Sequence, residues 1–155
     1  MPAPAAIQHH LDGLPHGAEF RFLDELLSLE PGRHGTATYT IRPDAEFLKG
    51  HFPGRPCMPG LLLLEAAAQL AGVVAQSSTT EPAIERLLLA EVRGARFLGL
   101  ALPGDRLLLE ARIIRRFGDA VTATVQASIG TKPVLRGEVT LAGDEQRQPA
   151  PPTSG

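Results

Sequence analysis

A histidine and a carboxylate stand fourteen residues apart in the middle of the chain, His51 and Glu65, within KGHFPGRPCMPGLLLLEAAAQLAGVVAQ at residues 49–76. An imidazole transfers protons near neutral pH without a large displacement of its pKa. A carboxylate set among leucines and alanines must be paired, hydrogen-bonded or neutralised, because a lone charge in low dielectric is costly. The two together read as an acid/base pair. Gly60 and Leu61 open the apolar run that holds Glu65, so their backbone N–H groups sit at the positive end of an expected helix and form an oxyanion hole. Gly60 also lets a ligand approach the backbone closely. Gln69 lies one helical turn beyond Glu65 on the same face, placed to orient that carboxyl or a water held by it.

Two elements must position these groups. The loop at residues 50–60 carries Gly50, Gly54 and Gly60 with Pro53, Pro56 and Pro59, a composition that turns the chain and stiffens it. Residues 61–76 follow as a helix, since Leu, Glu, Ala and Gln are strong helix formers and no breaker appears before Gly72. Pro59 suits the first helical position. The helix is apolar on almost every side and spans about 22 Å, which marks it as a buried central element. Phe47, Phe52 and Met58 read as packing and tunnel lining. Cys57 reads as a small packing residue, since a nucleophilic thiol needs a base and an open electropositive site.

Upstream, residues 1–10 form a Pro/Ala-rich flexible leader in which His9 and His10 are solvated rather than ligating. Residues 22–29 carry enough apolar positions for a short helix or a strand, ending at the turn Pro31-Gly32. Residues 36–42 alternate Ala37, Tyr39 and Ile41 against threonines, a half-buried strand. Downstream, strands are expected at residues 87–92 and 96–100 to either side of Gly94, then at 106–115, 121–129 and 134–141. A turn at residues 103–105 leads into the last three, and turns at 117–119 and 130–133 separate them, Asp105 being a structural turn residue. Residues 143–155 read as a disordered tail. One long apolar helix with several antiparallel-patterned strands makes a single α+β domain over residues 11–142, a curved sheet wrapped around the helix.

Fifteen basic and seventeen acidic residues leave a net charge of −2, which argues against nucleic acid and against an anionic membrane as partner. A single cysteine excludes an internal disulfide and fits a reducing cytoplasm. No metal-ligand spacing and no Gly-rich phosphate loop is present, so no metal or cofactor is expected. Glu65 and Gln69 interrupt the longest apolar stretch, which excludes a transmembrane helix there, and the N-terminus has no secretory pattern. A soluble cytoplasmic protein is the expectation.

The run GHFPGRPCMPGLLLLEAAAQLAG resembles the signature of the 3-hydroxyacyl-[acyl-carrier-protein] dehydratases of the FabZ type. The flanking pieces LPH at residues 14–16, LEPG at 29–32, ARF at 95–97 and PGD at 103–105 match it too. The resemblance implies the hotdog fold, a homodimer with one continuous sheet, and hexamers built from three dimers. It also implies dehydration of 3-hydroxyacyl thioesters, carried by an acyl carrier protein or as CoA thioesters, to trans-2-enoyl thioesters. His51 and Glu65 are then the catalytic pair, contributed by different protomers, and Glu at the acid position looks like the FabZ rather than the isomerising FabA branch. Two departures stand out. LPH is followed here by Gly17-Ala18-Glu19-Phe20 instead of the usual Arg-Tyr-Pro-Phe, and residues 97–102 are apolar where the family carries carrier-docking basic residues. Contact with a carrier falls to Arg93, Arg96 and Arg55, with Phe52 and Met58 at the tunnel. A thioesterase using the carboxylate to direct water, and a non-catalytic acyl-binding subunit, are the rival readings.

Overall fold

The computed structural model describes residues 4–52, 54–84 and 86–144. Six strands form one antiparallel sheet: β1 (Glu25–Glu30), β2 (His34–Thr40), β3 (Leu87–Phe97), β4 (Arg106–Phe117), β5 (Ala120–Ile129) and β6 (Lys132–Gly143). Their spatial order is β1-β2-β4-β5-β6-β3, so β1 and β3 are the edges. A four-residue helical turn α1 (Pro4–Ile7) precedes them, and the long helix α2 (Gly60–Gln76) falls between β2 and β3.

The register explains why the helix sits where it does. Across neighbouring strands Tyr39 faces Leu107, Ala37 faces Leu109, Leu109 faces Ala127 and Ala127 faces Leu135. These rows are buried and meet Leu63, Ala66, Ala67, Leu70, Ala71 and Val74 of α2 in one core. Alanines on both sides let the helix nest close to the sheet. Gly35 shows how close: a Cβ there would lie 2.7 Å from Val74 Cγ2. The long helix inside a curved antiparallel sheet is the α+β arrangement expected from the sequence.

Several local expectations change. Pro59 is the N-cap of α2, with ψ near 137°, and its carbonyl accepts from the Leu62 and Leu63 N–H groups; the first helical residue is Gly60. Residues 4–10 are helical and docked where a flexible leader was expected. Ile7 and Leu11, four apart, are buried in the core, and the Gln8 amide bonds the Leu26 backbone in both directions. His9 remains exposed, as expected of a solvated residue. The apolar residues after Phe22 form β1 rather than a helix, paired in register with β2. Strand β3 runs unbroken through Gly94 (φ 59°), because a bulge between Arg93 and Arg96 absorbs that residue within the β6 pairing. Asp105 closes its turn by accepting from the Leu102 N–H. In the expected tail, Gly143 ends β6 and Asp144 pairs with Arg86; residues 145–155 lie outside the described residues.

Candidate active site

Glu65 lies on the second turn of α2, and its side chain is 24% exposed, on a rim rather than in the apolar interior. It lines an open depression of about 190 Å³ whose wall includes His16, Gln69, Leu88 and Leu89. The partner its burial demands is His16, whose Nε2 is 3.2 Å from Glu65 Oε1. Reasoning from the sequence singled out His51 instead and left His16 unassigned. The signal was the LPH match, which marks His16 without saying what it touches.

Gln69 is 3% exposed and fully engaged. Its Oε1 accepts from the Phe22 backbone N–H at 2.9 Å. A backbone N–H only donates, so the amide orientation is fixed and the opposite atom is the nitrogen. That Nε2 donates to the Phe20 carbonyl at 2.8 Å and to Glu65 Oε1 at 3.2 Å. Gln69 thus staples residues 20–22 to the helix and touches the carboxylate one turn before it.

His51 follows a short 3₁₀ turn, Glu46–Leu48, whose Leu48 is buried in the core and anchors the loop. The His51 Nδ1 is 3.1 Å from the Cys57 carbonyl oxygen, and the Cys57 N–H donates back to the His51 carbonyl at 3.0 Å. A carbonyl only accepts, so Nδ1 carries the proton and Nε2 presents a lone pair. The Cys57 thiol also touches Nδ1, at 3.4 Å, and is buried, as a packing residue should be. Met58 donates its N–H to the Ala101 carbonyl, which fixes the loop's exit into the helix.

At the helix N-terminus, the first backbone bonds go to the Pro59 carbonyl from Leu62 and Leu63, leaving the Gly60 and Leu61 N–H groups without a partner among the described residues. Gly60 lies close under the Phe97 ring: a Cβ there would be 2.8 Å from Phe97 Cδ1, so the half-exposed ring would have to shift. The tentative contacts divide. Met58 is buried in the core, as a packing residue. Phe52 is exposed and, with Arg55, Pro56, Cys57, Leu100 and Leu102, bounds an open apolar depression of about 550 Å³. Arg93 is held by Glu91, both Nε and Nη2 donating to its Oε1, and this carboxylate raises the guanidinium's pKa. Arg96 is exposed on β3.

Among the described residues no hydrogen bond or ion pair joins His51 to Glu65. The depression beside Glu65 and the one beside the His51 loop are lined by different residues. One chain therefore displays an imidazole tethered through Nδ1 and, separately, a carboxylate whose Oε1 accepts from Gln69.

Residues 14–138 match the FabA-like domain family. The 3-hydroxyacyl-[acyl-carrier-protein] dehydratase FabZ of Listeria welshimeri is 39% identical over 130 residues, covering 83% of this chain and 89% of that protein. The FabZ of Myxococcus xanthus is 38% identical over 129 residues, covering 83% and 84%. Among solved structures, the dehydratase heterocomplex ApeI:P from Xenorhabdus doucetiae superposes with a TM-score of 0.74 at 18% identity, covering 88% of this chain and 91% of that one. That likeness establishes the hotdog fold.

Proposed function

The chain belongs to the FabA-like family, and on that premise we propose that it removes water from 3-hydroxyacyl chains borne as thioesters on an acyl carrier protein, in fatty acid synthesis. The observation that carries this reading is the match to FabZ dehydratases across a span that includes His51, Gly60, Leu61 and Glu65.

The geometry supports a division of labour. His51 Nε2, with its lone pair exposed by the Nδ1–Cys57 bond, takes the proton from the carbon next to the thioester carbonyl. The electrons of that C–H bond form the new double bond as the C–O bond of the 3-hydroxyl breaks. Glu65 supplies a proton from Oε2, so the hydroxyl leaves as water. The Gly60 and Leu61 N–H groups hold the charge that grows on the thioester oxygen, with the helix dipole behind them. Proton return from His51 to Glu65 through solvent resets the pair.

The two groups meet across a pair of chains in this proposal. Strand β3 is an eleven-residue edge with Leu88, Leu89 and Val92 exposed, a template that invites pairing with a second copy of itself. A two-fold axis through it would bring the His51 loop of one protomer to the Glu65 depression of the other and make one continuous sheet. Three such dimers would complete a hexamer. Arg96 and Arg55 are the cations we assign to the acidic carrier or its phosphopantetheine phosphate, since Arg93 is already paired. The soluble cytoplasm is the compartment we assign; among the described residues no helix is long and apolar enough to cross a membrane.

The test follows enoyl thioester hydration and its reverse by ultraviolet absorbance, on carrier and CoA substrates. Wild type should interconvert them, and His51→Ala and Glu65→Gln should each lose about 10²-fold or more. Release of free thiol without interconversion would replace the dehydratase by a thioesterase.

A further inference from the structure

We infer that Gln8 closes the β1 edge of the sheet against a second copy of this chain, which leaves β3 as the edge through which chains pair. The inference goes beyond the dehydratase reading and uses none of its chemistry. The sheet ends in two strands, β1 and β3. An edge strand turns unpaired N–H and C=O groups outward, a template for another strand. On β1 that template is already filled at Leu26. Its N–H donates to Gln8 Oε1 at 3.0 Å, and its carbonyl accepts from Gln8 Nε2 at 2.8 Å. This is the pair of bonds that a residue of an adjoining antiparallel strand exchanges with the residue opposite. Gln8 Nε2 also donates to the Pro4 carbonyl at 2.7 Å, so both donors and the acceptor of the amide are engaged and its orientation is fixed.

Packing seats this plug. Ile7 and Leu11, on either side of Gln8 in the chain, are buried in the core, so the segment cannot lift from β1 without exposing both. The β3 edge is built differently. Leu88, Leu89 and Val92 are exposed along it, and no side-chain hydrogen bond among the described residues reaches its backbone. Bulges do not separate the two edges, since β1 and β3 both carry them. Exposed charge does not either, because Glu25 and Glu30 lie on β1 and Glu91 and Arg93 on β3. What differs is the plug. With both edges open, β3 would pair with β3 and β1 with β1, and the sheet would run on from dimer to dimer instead of closing.

The experiment reads the edge and the assembly separately, on the full chain. By amide hydrogen exchange the Leu26 N–H should be protected in wild type. Gln8→Ala should speed its exchange by about tenfold or more and leave the Ala123 and Val125 amides of the central strand β5 unchanged. The double variant Ile7→Ala/Gln8→Ala removes the anchor as well. Light scattering should show its mass rising with concentration, where wild type keeps one mass. With Ser28→Cys added to each, a short thiol cross-linker should join chains of the double variant and not of wild type, the native Cys57 being buried. A Leu26 amide as labile in wild type as an exposed one, or one whose exchange ignores Gln8→Ala, would overturn the inference. A folded double variant that keeps the wild-type mass would overturn it too, as would association without a cross-link at residue 28. Should the double variant fail to fold by circular dichroism, exchange at Leu26 in the single variant decides. A monomeric wild type would remove the β3 dimer of the proposed function, and a gain of mass on opening β1 would still support the plug.

Discussion

Replacing Gln69 by leucine asks the most of the site's construction. Leucine has nearly the volume of glutamine and leaves the helix packed, so what is lost is polar. The Phe22 N–H loses its acceptor in a buried setting, at about 1–3 kcal/mol for an unsatisfied donor. The Phe20 carbonyl loses a partner at a residue exposed enough for water to replace it, at about 0.5–1 kcal/mol. Glu65 Oε1 keeps His16. The sum is about 1.5–4 kcal/mol, a large share of a small domain's stability. Urea unfolding followed by circular dichroism, at one fixed protein concentration because association contributes, would measure it. Gln69→Glu separates the roles. Its carboxylate still accepts from Phe22 but turns a like charge toward Glu65, so it should recover stability as pH falls and the pair shares a proton. A Gln69→Leu loss below about 1 kcal/mol, or a Gln69→Glu deficit that does not narrow on acidification, would refute the staple.

Further outcomes follow from particular contacts. Gly35→Ala drives a methyl into buried Val74 and should destabilise by about 1–3 kcal/mol, whereas Gly60→Ala meets the half-exposed Phe97 ring, which can swing aside, and should lose under about 1 kcal/mol in the same urea titration. Cys57→Ala should keep activity within about threefold, because the backbone carbonyl and not the thiol holds His51 Nδ1; a thiol nucleophile would show a far larger loss in the enoyl assay. Burial, then the neighbouring His9, lowers the His10 pKa below 6.5, so the unfolded chain binds its proton first. Stability from this group is full above that pH and lost as pH falls through the lowered value; stability against pH, compared with His10→Gln, should show a shallower acid slope in the variant.

The sequence was most legible where the signal is local. Leucines and alanines without a breaker mark α2, and the alternation of Ala37 and Tyr39, or of Val121 to Ile129 against threonines, marks strands whose inner faces the structure buries. It was least legible where partners are distant. Nothing near Gly94 says that a bulge carries β3 through it, because that bulge exists only in the pairing with β6. Ile7 and Leu11 carry a helical spacing, but their docking depends on a core assembled from residues far downstream. Pro59 differs from expectation by one residue, since both N-cap and first helical position tolerate its missing N–H. At the candidate site, His51, Glu65 and Gln69 stand out by residue type and spacing, and the structure shows what each touches. The nearness of His16 was not legible, because its contact with Glu65 brings a 3₁₀-flanked segment near the N-terminus to the second turn of the central helix.

The measurement that tests the account most directly is complementation between two inactive variants. His51→Ala and Glu65→Gln proteins would be unfolded, mixed in equal amounts, refolded together and assayed for enoyl thioester hydration. If each site takes its histidine from one protomer and its carboxylate from the other, half of the dimers are mixed and each has one intact site. Activity should then return to about a quarter of wild type from two inactive parents. A mixture as inactive as its parents, in which mixed dimers are shown to have formed, would contradict a site shared by His51 and Glu65 across protomers.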